Sequence, residues 1–157
     1  PTADALRGWA LADQVAVCEI DPDLADTAEL TAAFDLPLDA SGNCVIVSGA
    51  RAGEERVAAC VVPAHTRADV NNLVRRELEV RKASFLSMDR AVEESGMEYG
   101  GITPVGLPAA WRLLVDASLL TAAVVCIGSG VRRSKLLVSG SVLAHLPGAE
   151  VLEGLGR

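Results

Sequence analysis

Short apolar runs, separated by charged or glycine-containing turns, are the main pattern along this chain. The runs are rich in Val, Ile, Ala and Cys, a composition that favours β-strands over helices. They lie at residues 14–20, 43–50, 56–64, 111–116, 122–128 and 135–139. The charged turn at 51–55 joins the second and third runs, so we predict a hairpin whose two strands are buried on both faces.

Helices are predicted between these strands, without a regular strand–helix–strand order. Asp26 with Glu29, and Thr66 with Asp69, have the three-residue spacing of a capping box at a helix start. A further helix fits residues 87–96. The first of these helices would bury Leu30, Ala33 and Phe34. The irregular order indicates one α+β domain over residues 1–157, built on a mixed sheet.

Composition and charge limit the classes of partner. The chain has 157 residues, half of them hydrophobic, and a net charge of −7. An acidic balance argues against a large nucleic-acid footprint but leaves room for a small basic patch. Such a patch is available at Arg132, Arg133 and Lys135. With no apolar run long enough to cross a bilayer and no secretion signal, we expect a cytoplasmic protein without a membrane partner.

The four cysteines do not form a metal-binding pattern. They are far apart, no Cys-x-x-Cys pair exists, and His65 and His145 are the only histidines. We therefore expect buried, reduced thiols, with neither metal nor other cofactor. Cys44 as a nucleophile assisted by His65 is an alternative, with a buried strand thiol as the favoured interpretation.

The stretch EYGGITPVG at residues 98–106 fixes the backbone unusually tightly at mid-chain. Gly100 and Gly101 permit close approach of a ligand to the backbone, and Pro104 restricts the chain after them. Apart from Glu98 the stretch has no side chain suited to general-base catalysis. Either it is a tight turn, or its chemistry uses backbone N–H and C=O groups.

Several segments together resemble the YbaK/ProX-type aminoacyl-tRNA editing domains, relatives of the insertion domain of bacterial prolyl-tRNA synthetases. The glycine–proline stretch is similar to that family's Gly-Gly-x-x-Pro-x-Gly loop. AACVVPAHTRADVNNLVRREL, LLVDASLLTAAVVCIGSG and LLVSGSVLAHL are similar to family segments in the same order. The resemblance covers about residues 40–150. It implies a mixed, largely antiparallel, partly barrel-like sheet surrounded by helices.

The resemblance also implies an activity and a site. Members hydrolyse the ester that joins a wrong, small amino acid to the 3′ end of a tRNA such as that for proline, and a synthetase is a candidate partner. Gly100 and Gly101 would lie against the aminoacyl carbonyl and the ribose. The other substrate-binding residues implied are Ile102, Thr103, Pro104, Gly106, Asp116, Gly128, Ser129 and Gly130. Arg132, Arg133 and Lys135 would meet the acceptor end of the tRNA.

One position departs from the family pattern. Asn43 stands where the family carries a lysine that holds the terminal phosphate or the aminoacyl end, and the only lysines here are Lys82 and Lys135. Three alternatives stay open: Asn43 serves a different substrate, an arginine reaches in, or the deacylase activity is weakened or lost, which would leave a module that binds aminoacyl-tRNA or a small ligand without hydrolysis. Asp116 and Ser129 are equally consistent with turn residues, and Arg132 and Arg133 with a solvated surface.

Overall fold

The computed structural model describes all 157 residues, which form two β-sheets with helices packed around them. The strands are β1 Ala16–Glu19, β2 Gly42–Arg51, β3 Glu54–Pro63, β4 Ala83–Phe85, β5 Arg112–Asp116, β6 Val125–Gly128, β7 Ser134–Val138 and β8 Ala149–Leu152. The α-helices are α1 Thr2–Gly8, α2 Thr27–Phe34, α3 Arg75–Glu77, α4 Met88–Ser95 and α5 Gly140–Leu143. A π-helical segment, Val70–Val74, runs directly into α3. Short 3₁₀ segments include Pro22–Leu24, Leu38–Ala40 and Ala117–Thr121.

The larger sheet has the strand order β4-β2-β3-β5-β8. Its first three strands are antiparallel, whereas β5 is parallel to both β3 and β8. The smaller sheet is antiparallel, with the order β1-β7-β6. A single bridge between Ser41 and Cys126 connects the two sheets at the start of β2. The predicted α+β fold with a mixed, largely antiparallel sheet is confirmed.

The hydrophobic core lies on both faces of the larger sheet, because alternate residues of β3 enter different clusters. Ala59 and Val61 pack with the smaller sheet and α5, whereas Cys60 and Val62 pack under the segment that leads into α3. β3 is therefore buried on both faces, as predicted. β2 was also predicted to be buried on both faces, and this prediction was wrong for most of the strand, because only Gly42, Ile46 and Val47 are buried.

Two helix starts differ from the predicted capping boxes. Asp26 is the N-cap residue of α2, but its side chain makes no capping hydrogen bond. Thr66 Oγ1 donates to Pro63 O, and the next helical segment begins only after Asp69, whose carboxylate accepts from Asn72 N. Of the three residues of α2 predicted to be buried, only Leu30 is; Ala33 and Phe34 are exposed, and Thr31 is buried beside Leu30. Thr31 tolerates burial because its hydroxyl donates to Thr27 O, one turn earlier.

Candidate active site

A cleft of about 190 Å³ opens where the two sheets meet. Its floor is formed by the start of β2 and by β6, which are joined at the Ser41–Cys126 bridge. Its walls come from the start of α2, the glycine loop and β7. The cleft is lined by Ala25, Asp26, Thr27, Leu30, Ser41, Gly42, Asn43, Cys44, Met88, Tyr99, Gly100, Ile102, Cys126, Ile127, Gly128 and Lys135. The site thus uses residues from distant parts of the chain.

The glycine loop is held against a second loop by backbone contacts. Gly101 O accepts from Gly130 N at 2.7 Å, and Gly130 O accepts from Glu98 N at 2.9 Å. A β-carbon on Gly101 would lie 2.8 Å from Val131 N, so no side chain fits between the two loops. Gly100 has a positive φ of 73°, which favours glycine. The conformation of the loop is therefore specified by its two glycines.

Two residues that line the cleft have a backbone N–H group without a partner in the chain. Gly101 N donates to Glu98 O at 2.9 Å, closing a turn, and is therefore occupied. Gly100 N and Ile102 N donate to no group of the protein. Gly100 and Ile102 both line the cleft, whereas Gly101 does not. The N–H groups without a partner thus belong to the two neighbours of Gly101, both of which line the cleft.

Asn43, the second residue of β2, adds a donor to the cleft. Thr27 Oγ1 donates to Asn43 Oδ1 at 2.7 Å, which fixes the amide with its oxygen engaged. The Asn43 Nδ2 group has no partner in the protein and remains a donor. Ser41, just before β2, is only 3% exposed, and its hydroxyl is buried without a hydrogen-bond partner. A buried hydroxyl without a partner is unusual, because buried polar groups are almost always paired.

Lys135 enters the cleft from β7. Its ammonium donates to Ala25 O at 2.5 Å and to Gly100 O at 3.5 Å, and the residue is 7% exposed. Burial lowers the pKa of Lys135 from its ordinary value; Cys126 and Asp26 oppose this shift, and Arg132 adds to it. Lys135 was expected beside Arg132 and Arg133 in a basic surface patch, and it lies inside the cleft instead.

Arg132 ties the glycine loop to the segment before α2. Its guanidinium donates to Tyr99 O at 3.2 Å and to Pro22 O at 2.9 Å, and lies 5.7 Å from the centre of the Tyr99 ring. Asp26 Oδ1 is 3.8 Å from Arg132 Nη1. Since all four of these contacts are with other residues of the chain, Arg132 acts mainly as a clamp on the cleft wall. Arg133 is the exposed member of the pair.

Sequence comparison decides the family. The profile of the aminoacyl-tRNA editing domain matches residues 21–146, most of the chain. The chain belongs to the aminoacyl-tRNA editing domain family. The resemblance predicted from its motifs is therefore confirmed. No curated protein matches the chain in sequence.

Solved structures share the fold of this editing domain. A hypothetical protein, APE2540, superposes with a TM-score of 0.83 at 22% identity, over 98% of this chain and 99% of the other. A protein described as a candidate trans-editing enzyme for prolyl-tRNA synthetase superposes with a TM-score of 0.79 at 20% identity, over 100% of this chain and 98% of the other. At these identities the likeness concerns the fold.

Not all of the predicted site residues of the editing domain reach the cleft. Pro104 and Gly106 line a separate apolar cavity beside Trp9 and Trp111. Thr103 is completely buried, and its hydroxyl has no partner. The structure thus divides the predicted loop: its first part faces the cleft, and its second part lies in the core behind it.

Two other predicted positions have structural partners outside the cleft. Asp116 Oδ1 accepts from Ser118 N at 2.9 Å, and Asp116 Oδ2 accepts from Gly156 N at 2.7 Å, which caps the 3₁₀ segment Ala117–Thr121 and fixes the C-terminal segment. Ser129 Oγ donates to Ser134 O at 2.8 Å. Ser129 and Gly130 lie on a different surface depression, next to the N-terminus. These contacts agree with the interpretation of Asp116 and Ser129 as turn residues.

Cys44 lines the cleft without a group that could activate it. Burial raises the pKa of the Cys44 thiol far above its ordinary value, and Cys60 raises it further. Burial alone raises the pKa of Cys60 to about 12. His65 is an exposed residue of the turn after β3. The Cys44 thiol is therefore protonated at neutral pH, the opposite of what a nucleophilic cysteine requires.

Sequence reasoning missed Thr27, Ser41 and the cleft position of Lys135. Thr27 and Ser41 are common polar residues at element ends, and no motif distinguishes them. The position of Lys135 depends on the pairing of β7 with β6, in which it lies opposite Gly128. No three His, Cys, Asp or Glu side chains come together as a metal site needs. None of the helices has the length and hydrophobicity of a membrane crossing.

Proposed function

We propose that this editing domain is a deacylase that acts in trans on aminoacyl-tRNA and hydrolyses the ester of a small amino acid mischarged on a tRNA such as tRNA-Pro. The observation that carries the proposal is a pair of backbone N–H groups without a partner in the protein, in Gly100 and Ile102, two residues that line a cleft in a chain of the editing family. Fixed backbone donors of this kind stabilise the oxyanion that develops during ester hydrolysis.

The reaction needs no protein nucleophile. A water attacks the ester carbonyl carbon, and negative charge develops on the carbonyl oxygen near the two N–H groups. The bond from carbon to the ribose oxygen then breaks, the ribose oxygen takes a proton that comes from the water, and the amino acid leaves with a carboxyl group. The neighbouring ribose hydroxyl would orient the water. This route agrees with a protonated Cys44 that has no basic partner.

The size of the cleft supports a small substrate group. Its volume of about 190 Å³ lies below the roughly 300–1,000 Å³ typical of pockets that enclose a drug-sized molecule. The aminoacyl end would enter, and the rest of the tRNA would stay outside. Leu30, Ile127 and Met88 bring apolar surface to the cleft. Tyr99, exposed at its edge, offers an aromatic surface on which a nucleobase can stack.

A panel of charged tRNAs tests this function. The protein is incubated with tRNAs carrying Ala, Cys, Ser, Thr or Pro, and release of the radiolabelled amino acid is followed over time. We expect release of at least one of the small amino acids. No release from any of them, at protein concentrations well above those an active editing enzyme needs, would overturn the proposal.

Asn43 favours a second candidate, a module that binds aminoacyl-tRNA without hydrolysing it. An amide can hydrogen-bond a phosphate or hydroxyl oxygen but lacks the charge that strengthens such a contact. Binding of a charged tRNA at the cleft with no turnover would support this candidate, and turnover would exclude it. Adding a prolyl-tRNA synthetase to the same assay tests whether a synthetase is the partner: we expect it to lower the apparent KM.

A further inference from the structure

The cleft contains a buried ammonium group that has no carboxylate partner of its own. Lys135 is held by two backbone carbonyls, Ala25 O and Gly100 O. Asp26, the acidic side chain in its neighbourhood, forms its ion pair with Arg132. Removing a charge from water is costly unless an opposite charge or several hydrogen bonds compensate for it. The surroundings of Lys135 are thus incomplete in the free protein.

The cleft has several donors without a partner, and Asp26, which lies near Arg132, is the only carboxylate among its lining residues. An ammonium has three N–H groups, and the two carbonyls use two of them. Asn43 Nδ2 and the N–H groups of Gly100 and Ile102 are also without a partner. A ligand that satisfies these donors supplies acceptors, and negative charge on the acceptor at Lys135 would compensate for the burial of the ammonium.

We propose that Lys135 binds an anionic phosphate oxygen of the ligand. The positive charge that meets the phosphate then comes from β7 of the smaller sheet and not from β2, on which Asn43 lies. The identity of the ligand, the terminal nucleotide of a tRNA, rests on the proposed function. The recognition of an anionic oxygen rests on the cleft itself. Lys135 is then a substrate-binding residue and not only a tether for the glycine loop.

The pairing of β6 with β7 explains how Lys135 reaches this position. Lys135 lies directly opposite Gly128, and side chains of directly paired residues emerge on the same face. A β-carbon on Gly128 would lie 2.6 Å from Gly101 O, so the glycine loop occupies the space that a side chain would take. The lysine therefore extends beside the loop and reaches Gly100 O.

Binding of two small nucleotides tests the proposal. The affinities of adenosine 5′-monophosphate and of adenosine are measured by NMR titration for the wild-type protein, Lys135→Met, Lys135→Gln and Lys82→Met. Lys82, the only other lysine, is exposed and outside the cleft, so it is the matched control. Lys135→Gln removes the charge and keeps two N–H donors on a side chain that is one bond shorter, in case the Met variant does not fold.

We expect the wild-type protein to bind the monophosphate about tenfold to a hundredfold more tightly than adenosine, as a charge-assisted hydrogen bond allows. Both Lys135 variants should lose this preference and keep the affinity for adenosine, and Lys82→Met should behave like the wild-type protein. No preference in the wild-type protein, or a preference that survives in Lys135→Gln, would overturn the proposal. Loss of adenosine binding as well would also overturn it, in favour of a tether that only holds the loop.

The two proposals fail separately. A monophosphate preference that depends on Lys135, without any release of amino acids from charged tRNAs, would remove the deacylase and keep the phosphate site. Deacylation without a monophosphate preference would keep the deacylase and remove the phosphate site.

Discussion

Gly101→Ala is the substitution that most directly tests how the glycine loop is held. A β-carbon at this position would lie 2.8 Å from Val131 N and Val131 C and 2.9 Å from Val131 O. All three are backbone atoms, so no side-chain rotation relieves the contact. The loops at 98–101 and 130–131 must separate, and the hydrogen bond from Gly130 N to Gly101 O is stretched or lost.

The cost of this change follows from its two parts. Loss of the hydrogen bond costs about 1 kcal/mol. Forcing a methyl group into a packed site costs about 1–3 kcal/mol more. The total, about 2–4 kcal/mol, is smaller than the roughly 5–15 kcal/mol that stabilises a domain, so the variant should fold. In a chain of this length each kcal/mol lowers Tm by about 2–4 °C, so we expect a decrease of roughly 4–16 °C.

The effect on activity should exceed the effect on stability. A displacement of about 1 Å in a positioning group can cost about a hundredfold in rate, and Gly100 and Ile102 flank the substituted residue. We expect kcat/KM for deacylation to fall by about that factor while the far-ultraviolet circular dichroism spectrum stays unchanged. Thermal unfolding and the charged-tRNA assay measure the two effects on the same preparation.

Gly8→Ala is the matched control for this substitution. Gly8 is the last residue of α1, and a β-carbon there has no heavy atom within 4 Å. Alanine should leave activity unchanged and leave Tm unchanged or slightly higher, because glycine in a helix is less favourable than alanine by about 0.5–1 kcal/mol. A Gly101→Ala protein with the Tm and kcat/KM of the wild type would refute the close contact between the two loops.

Three further predictions follow from the same geometry. Cys44→Ala should keep kcat/KM within about threefold, whereas loss of a catalytic nucleophile would lower it by orders of magnitude in the same assay. Asp116→Asn should lower the free energy of unfolding in urea by about 2–3 kcal/mol, because Gly156 N loses a charged acceptor, and KM should stay unchanged. A changed KM with unchanged stability would show instead that Asp116 contacts the substrate. Binding of tRNA should weaken with salt at a slope no steeper than about −3 on a log–log plot, because Arg132, Arg133 and Lys135 are the cations at the cleft and its rim; a steeper slope would reveal a larger basic surface.

The parts of the fold that were predictable depend on local pattern. β3, β5 and β6 are apolar runs whose burial does not depend on which strand lies beside them, and the turn between β2 and β3 is marked by charged residues and a glycine. β4 and β8 were missed because each is short and contains a polar residue, Ser84 or Glu150, so that neither forms an apolar run. The capping box at Thr66 and Asp69 failed because the Thr66 hydroxyl donates to a carbonyl behind it and not to the helix ahead.

The site was predictable only where it coincides with a motif. Gly100 and Ile102 were found because the glycine–proline loop stands out in the sequence, but which N–H groups are free depends on the turn that Gly101 closes with Glu98. Lys135 was placed on the surface because Arg132 and Arg133 precede it. Arg132 and Arg133 lie in the turn before β7, whereas Lys135 lies within the strand, on the face that borders the cleft.

The polar groups of the site come from both sheets. The glycine loop leans on β6, the ammonium extends from β7, and Asn43 lies on β2 of the other sheet. One bridge, between Ser41 and Cys126, joins β2 to β6. A lysine on β2 would carry its charge on the larger sheet, whereas Lys135 carries it on the smaller one. A ligand that contacts both Asn43 and Lys135 therefore spans the joint between the sheets, and the spacing of the two sheets sets the geometry of binding.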